Sequence, residues 1–209
     1  MTTTMLKSVS ATTINYYDVH AKEYCDLTRH ADLTDAYDRF LIALPPGAHI
    51  LDAGCGSGRD TKVFLDRGYK VTAIDASSQL ARLAAAYTNH PCEVLCFKDM
   101  VFHETFDGIW ACASLLHIPK NEMRDVIPRF VQALKPGGLL FVSVKEGEGE
   151  RIADDGRFFS DYSRASFEGL LEHFPTLSEI AFWQSEEIRN GNNRQPWLSF
   201  LLKKSDPDL

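Results

Sequence analysis

The sequence predicts an α/β fold, a doubly wound sheet with helices on both faces, and three observations lead there. Past Pro45-Pro46-Gly47 the apolar pattern changes from helical spacing to short strands alternating with single helices. The first of those strands runs into a glycine loop, Gly54-Cys55-Gly56-Ser57-Gly58. The tail reads differently, as two strands joined by a turn near Asn190-Gly191. Strand–helix–strand units pair in parallel through right-handed crossovers. Strands joined by a tight turn pair antiparallel.

Taken in order, residues 1 to about 12 are polar and Thr/Ser-rich and read as a mobile lead-in. Ile14, Tyr17, Ala21 and Tyr24 then recur at helical spacing, and a second helix is expected over Asp35 to Leu44. Pro45-Pro46-Gly47 stops it, because neither proline donates and glycine turns cheaply. His49 to Asp52 is the first strand, Arg59 to Arg67 a helix ended by Gly68, and Lys70 to Asp75 the second strand. Ser77 is placed to cap a helix whose stripe is Leu80, Leu83, Ala84 and Tyr87. Glu93 to Phe97 and Asp107 to Ala113 are the third and fourth strands. Met123, Val126, Ile127, Phe130, Val131 and Leu134 mark the most regular helix, which Pro128 should kink or break. Pro136-Gly137-Gly138 ends it before a strand over Leu139 to Val144. A helix carrying Phe167, Leu170, Leu171 and Phe174 precedes strands near Ser178 to Ser185 and Trp197 to Lys203. With no repeat and no internal linker, residues 1–209 read as one domain: N-terminal helices to 44, a core over 45–145, then a lid and hairpin over 146–209.

Charge removes several functions. The 22 Lys+Arg against 29 Asp+Glu give a formal charge of -7, so a globally basic DNA-binding groove is not expected. No apolar run is long enough for a membrane span, and the opening residues lack the apolar core of a secretory signal. The five cysteines, odd in number and mostly in apolar stretches, read as reduced thiols of a cytoplasmic protein. Cys92 and Cys96 beside His90 find no second ligand pair at zinc spacing, so no metal is expected.

The glycine loop lies at the carboxyl edge of the sheet, where open α/β folds bind ligands. A dinucleotide loop is G-x-G-x-x-G/A, but here Arg59 stands at the third glycine position. The loop is instead G-x-G-x-G, with Asp52 two residues before Gly54. A carboxylate there suits a ligand carrying an ammonium and a sulfonium better than a pyrophosphate. Asp75, at the end of the second strand, can accept both hydroxyls of a ribose with its two oxygens. Asp99-Met100 would offer a carboxylate to an adenine amino group beside an apolar surface.

Asp52-Ala53-Gly54-Cys55-Gly56-Ser57-Gly58, Asp75, Asp99-Met100, Phe106-Asp107-Gly108-Ile109-Trp110 and Leu134-Lys135-Pro136-Gly137-Gly138 together resemble the class I S-adenosylmethionine-dependent methyltransferases over about residues 45 to 145. The resemblance implies a Rossmann-like seven-stranded sheet with an antiparallel C-terminal strand. It implies that the loop, through Gly54, Cys55, Gly56 and Gly58, holds the methionine part of S-adenosylmethionine, Asp75 and Ala76 the ribose, and Asp99-Met100 the adenine. It places Ala113, Ser114 and Leu115 beneath the sulfonium. Tyr16-Tyr17-Asp18 and Tyr24 are similar to a segment that small-molecule members fold over the cofactor, where aromatic faces attract a sulfonium.

Methyl transfer from a sulfonium asks mainly for alignment and exclusion of water. His117 is the candidate base for an acceptor that arrives protonated. Arg157, with Phe159 and Tyr162, reads as a lid that grips the substrate. No Asn/Asp-Pro-Pro-aromatic tetrapeptide follows the fourth strand, and Pro91-Cys92 falls too early to be a cytosine-C5 nucleophile. A small-molecule acceptor is therefore expected, with an NAD-dependent oxidoreductase and a non-catalytic cofactor-binding partner or sensor as the other readings.

Overall fold

The computed structural model describes residues 3–186 and 195–206, and for residues 3–9 the backbone alone. The turn expected at Asn190-Gly191 lies outside the described residues. The helices are α1 (Thr3–Val19), α2 (Ala21–Thr28), α3 (Thr34–Leu41), α4 (Arg59–Asp66), α5 (Ser78–Thr88), α6 (Met123–Ala133) and α7 (Arg164–Leu171). The strands are β1 (His49–Ala53), β2 (Lys70–Asp75), β3 (Cys92–Val94), β4 (Phe106–Cys112), β5 (Leu134–Lys145), β6 (Glu150–Ile152), β7 (Phe158–Ser160), β8 (Leu177–Ser185) and β9 (Trp197–Lys204). Seven of them form one sheet in the order β3-β2-β1-β4-β5-β9-β8. All run in parallel except β9, which is antiparallel to both β5 and β8. The expected doubly wound architecture is the observed one.

Period-two alternation builds a core on each face of the sheet. Leu51, Ile109, Ala111, Leu140 and Val142 point to one side, onto Met123, Val126, Ile127 and Phe130 of α6 and Phe167 of α7. Ile50, Trp110, Phe141 and Leu201 point to the other, onto Tyr37, Phe40 and Leu41 of α3 and Phe64 of α4. Trp110 and Phe141 stack there with ring centroids 3.9 Å apart. Ser77 caps α5 as expected, its side chain accepting from the Leu80 N–H at 3.1 Å.

Several segments differ from expectation. The third strand, expected over Glu93 to Phe97, is Cys92–Val94, and Phe97 opens a short 3-10 turn instead. The lead-in is helical from Thr3, and the N-terminal helix breaks at His20 into α1 and α2. Pro128 does not interrupt α6; it occupies the exposed face, so the carbonyl that loses its partner is not buried. β5 starts at Leu134, with a register break: Leu134 pairs with Phe106 and Leu139 with Gly108. Pro136-Gly137-Gly138 is thus a bulge within the strand region rather than a helix stop, with Gly137 at φ +72°. The lid region folds into a second, two-stranded antiparallel sheet, β6 with β7. No described helix is long and apolar enough to cross a membrane.

Candidate active site

β1 delivers the chain to Gly54, and the loop turns back on itself with Gly54, Gly56 and Gly58 all left-handed, at φ +83°, +55° and +78°. The loop is fastened from below, since the Gly54 and Cys55 N–H groups both donate to the Ile74 carbonyl at 2.9 Å. Each glycine has a different steric reason. A Cβ on Gly54 would lie 2.6 Å from Ser114 Cβ, and one on Gly56 would lie 3.2 Å from the Tyr24 ring. A Cβ on Gly58 would lie 3.1 Å from Ala84 Cα, so Gly58 serves close packing of the loop on α5. Close packing of the loop on a helix is thus met at Gly58, one residue before Arg59.

Asp75, 8% exposed, closes the floor of the site. Its Oδ2 accepts the Gly56 N–H and its Oδ1 the Ser77 N–H, both at 2.8 Å. Burial raises its pKa to about 6 while these backbone donors pull it down. Each oxygen keeps a further lone pair for a ligand hydroxyl. Beside it Ala76 is half-buried. Across the loop, Ser114 is nine-tenths buried and its Oγ has no hydrogen-bond partner. Ala113, just before it, holds φ +51° and donates its N–H to Ser143 Oγ at 2.9 Å.

Aromatic rings then lead away from the loop. Tyr24 lies on Gly56, Tyr17 packs on Tyr24 at 5.1 Å, and His117 packs on both Tyr17 at 5.4 Å and Phe159 at 4.9 Å. Arg157 stacks over Tyr16 at 4.6 Å and over Phe159 at 5.3 Å, and its guanidinium pairs with Asp155 at 2.7 Å. Side chains of α1 fix this cover to three elements. Thr13 Oγ1 accepts the Phe158 N–H at 3.0 Å, and Tyr17 bonds His117 at 2.8 Å. Asp18 Oδ1 accepts from Ser77 Oγ at 2.6 Å and from the Gln79 N–H at 3.0 Å, at the start of α5.

Several expected site residues are displaced by this geometry. Asp52 does not face a ligand: it is buried under the loop and accepts from Thr61 Oγ1 at 2.5 Å, while burial and the Asp60 carboxylate raise its pKa. Cys55 turns its side chain to the opposite side, with Sγ 3.0 Å from Cys92 Sγ, so only its backbone faces the loop interior. Met100 and Leu115 are 1% and 0% exposed and belong to the core. Phe97, which the sequence reading passed over, sets its ring 3.5 Å from the Cβ position of Gly54, while Asp99 is exposed at the end of the same short turn. Tyr162 is buried against Phe167 at 5.3 Å and is a core residue. Phe159, also buried, supports His117 and Arg157 from beneath.

His117 is not poised as a base. Its Nδ1–H donates to the Phe158 carbonyl at 2.7 Å and its Nε2 accepts the Tyr17 hydroxyl at 2.8 Å, so both nitrogens are occupied. Burial and the cations Arg157 and Lys145 lower its pKa to about 4, outweighing the Phe158 carbonyl and Asp155, so the ring is neutral at pH 7. A depressed folded pKa means that the unfolded chain binds more protons between about pH 4 and 6.5, so the contribution to stability is present above that window and lost on acidification. Urea unfolding at pH 4.5 and pH 7 should therefore show a smaller pH dependence for His117→Gln than for the wild type. Asp75 titrates with the opposite sign in part of this window, but it is common to both proteins. Equal pH dependence would mean that His117 is not held neutral.

Residues 50–138 match the family model described as a methyltransferase domain. Over these residues, the segment that carries the glycine loop and Asp75, the chain is similar to methyltransferases. The chain is 28% identical over 171 residues to an uncharacterised methyltransferase of Staphylococcus carnosus, covering 78% of the chain and 82% of that relative. It is 32% identical over 109 residues to a ubiquinone biosynthesis O-methyltransferase of Xanthomonas campestris, covering 49% of the chain and 44% of that relative. The fold also superimposes on that of the 1,6-didemethyltoxoflavin-N1-methyltransferase of Burkholderia thailandensis, solved with bound 1,6-didemethyltoxoflavin and S-adenosylhomocysteine. The TM-score is 0.81 at 22% identity, over 96% of this chain and 91% of that one.

Proposed function

We propose that this chain moves the methyl group of S-adenosylmethionine to a nucleophilic atom of a small-molecule acceptor. The observation that carries the proposal is the unpartnered, buried Ser114 hydroxyl beside Gly54 of a glycine loop that the end of β2 holds through Asp75 and the Gly56 N–H. A buried hydroxyl without a partner costs about 1–3 kcal/mol, which a polar ligand group would offset. The bound cofactor would supply an electrophilic methyl with a good leaving group. Asp75 would accept the ribose hydroxyls, the backbone of the Gly54–Gly58 loop would line the methionine part, and Phe97 would lie beside the adenine. Tyr17 and Tyr24 would present π-faces to the sulfonium and exclude water. With both His117 nitrogens engaged, the acceptor would need to arrive already deprotonated or as a neutral nucleophile. Arg157, on the outer side of the ring series, would meet the acceptor.

Titration calorimetry with S-adenosylhomocysteine, and with NAD as the contrast, tests this directly. Micromolar binding of the first and none of the second is expected. The affinity should weaken as pH falls through about 6, because a protonated Asp75 no longer accepts from two hydroxyls. NAD binding alone would replace the proposal with the oxidoreductase reading. Cofactor binding without turnover on any small acceptor would point to a binding partner.

A further inference from the structure

The two sulfurs at the back of the glycine loop are closer than packing alone requires. Cys55 Sγ and Cys92 Sγ are 3.0 Å apart, a thiol–thiol hydrogen bond across the first turn of the loop and the start of β3. A disulfide needs about 2.05 Å, so roughly 1 Å of approach separates the two states. Cys55 is buried while Cys92 is half-buried, giving the pair one side open to solvent. The bond to Cys92 and burial keep the Cys55 thiol well above the usual range. Either sulfur can donate in this bond, and Cys92 is the one that meets an oxidant from solvent.

The loop transmits any movement of Cys55. Its neighbours Gly54 and Gly56 are both left-handed, Gly56 N–H is the donor to Asp75 Oδ2, and the Cys55 carbonyl accepts the Gly58 N–H at 2.9 Å. Gly54 and Gly56, which would follow a displacement of Cys55, are in contact with Ser114 and Asp75, the groups that face the proposed ligand.

We infer that Cys55 and Cys92 are an oxidisable dithiol, and that their disulfide withdraws the glycine loop and weakens cofactor binding. The oxidant is a peroxide. The Cys92 thiolate attacks one peroxide oxygen, the O–O bond breaks, and hydroxide leaves behind a sulfenic acid. The Cys55 sulfur then displaces the sulfenic oxygen, forming the S–S bond and releasing water after the thiol proton is passed on. Two thiols are oxidised and one hydrogen peroxide is reduced to two waters. The effect on affinity rests on the cofactor reading above; the formation of the bond does not.

The test uses the full chain with Cys96→Ser, so that the peptide carrying Cys92 holds a single thiol. Hydrogen peroxide treatment should join that peptide to the one carrying Cys55, as read by mass spectrometry before and after dithiothreitol. Calorimetry with S-adenosylhomocysteine should show an affinity about tenfold lower for the oxidised protein, within the usual range of coupling between two sites, and recovery on reduction. Cys92→Ser in the same background should bind like the reduced parent and ignore peroxide. By reciprocity, saturating S-adenosylhomocysteine should disfavour the disulfide in a dithiothreitol redox titration. Failure to form the Cys55–Cys92 linkage overturns the dithiol, and a linkage that leaves affinity unchanged overturns the coupling. If the reduced protein itself binds no S-adenosylhomocysteine while the linkage forms, the cofactor reading fails and the coupling to it falls with it.

Discussion

Asp75→Ala is expected to raise the dissociation constant of S-adenosylhomocysteine by about a hundredfold or more, since two ribose hydroxyls lose an acceptor worth about 1–3 kcal/mol each. The same change strands the N–H groups of Gly56 and Ser77, both of which donate to Asp75 at 2.8 Å. The thermal midpoint should therefore fall as well, and the two effects need separating. Asp75→Asn keeps the shape of the side chain and one acceptor oxygen. It should fold more stably than the alanine variant and still bind the ligand well below wild-type affinity. Calorimetry on each variant, with thermal unfolding as the control, gives the answer. A folded variant with unchanged affinity would remove Asp75 from the site.

The largest effect on stability is expected behind the loop rather than in it. Asp60 is buried and accepts from Tyr37 at 2.5 Å, Trp110 Nε1 at 2.9 Å and Arg59 at 2.6 and 3.0 Å. Arg59 is itself largely buried, and its carboxylate partner keeps the pair ionised: Arg59 is raised and Asp60 lowered despite desolvation of both. Asp60→Ala leaves a buried guanidinium without its counter-charge, which typically costs about 3–5 kcal/mol. For a chain of this length that corresponds to roughly 6–20 °C in Tm. Adding Arg59→Met should return part of the loss, because the uncompensated charge goes with it. Trp110 fluorescence follows the transition from within the network. A single variant within about 1 kcal/mol of wild type would show that water reaches the site and solvates Arg59.

The elements most legible in the sequence were those whose pattern is local. β2 occupies Lys70–Asp75 as its alternation predicts, and the Ser77 cap of α5 follows from residue type and position. α1 was illegible at its start because a Thr/Ser-rich stretch has no apolar period, yet the helix extends through it. β6 and β7 are three residues each, too short to show alternation, and are paired by tertiary context. The meeting of Gly54, Gly56 and Asp75 was legible because a tight turn and an acceptor at a strand end demand those residue types. That Met100 is buried in the core while Phe97 reaches Gly54 was not, because both are apolar near the same turn and only the packing distinguishes them. The orientation of His117 depends on Tyr17 and on Phe158, one hundred residues before it and 41 after it, so no local motif records it.

The bonds that seat α1 also set an order of events during synthesis. Thr13 is translated 145 residues before the Phe158 N–H that it accepts. At about 5–20 residues per second, that partner arrives roughly 7 to 29 s later. Ser77 and Gln79 come sooner, so the start of α5 is the first anchor available to α1, with His117 and then β7 following. Until the start of α5 emerges, the first-made helix has none of these partners, and its bond to β7 waits for the whole interval. The cover of the nascent site is thus made first and seated last.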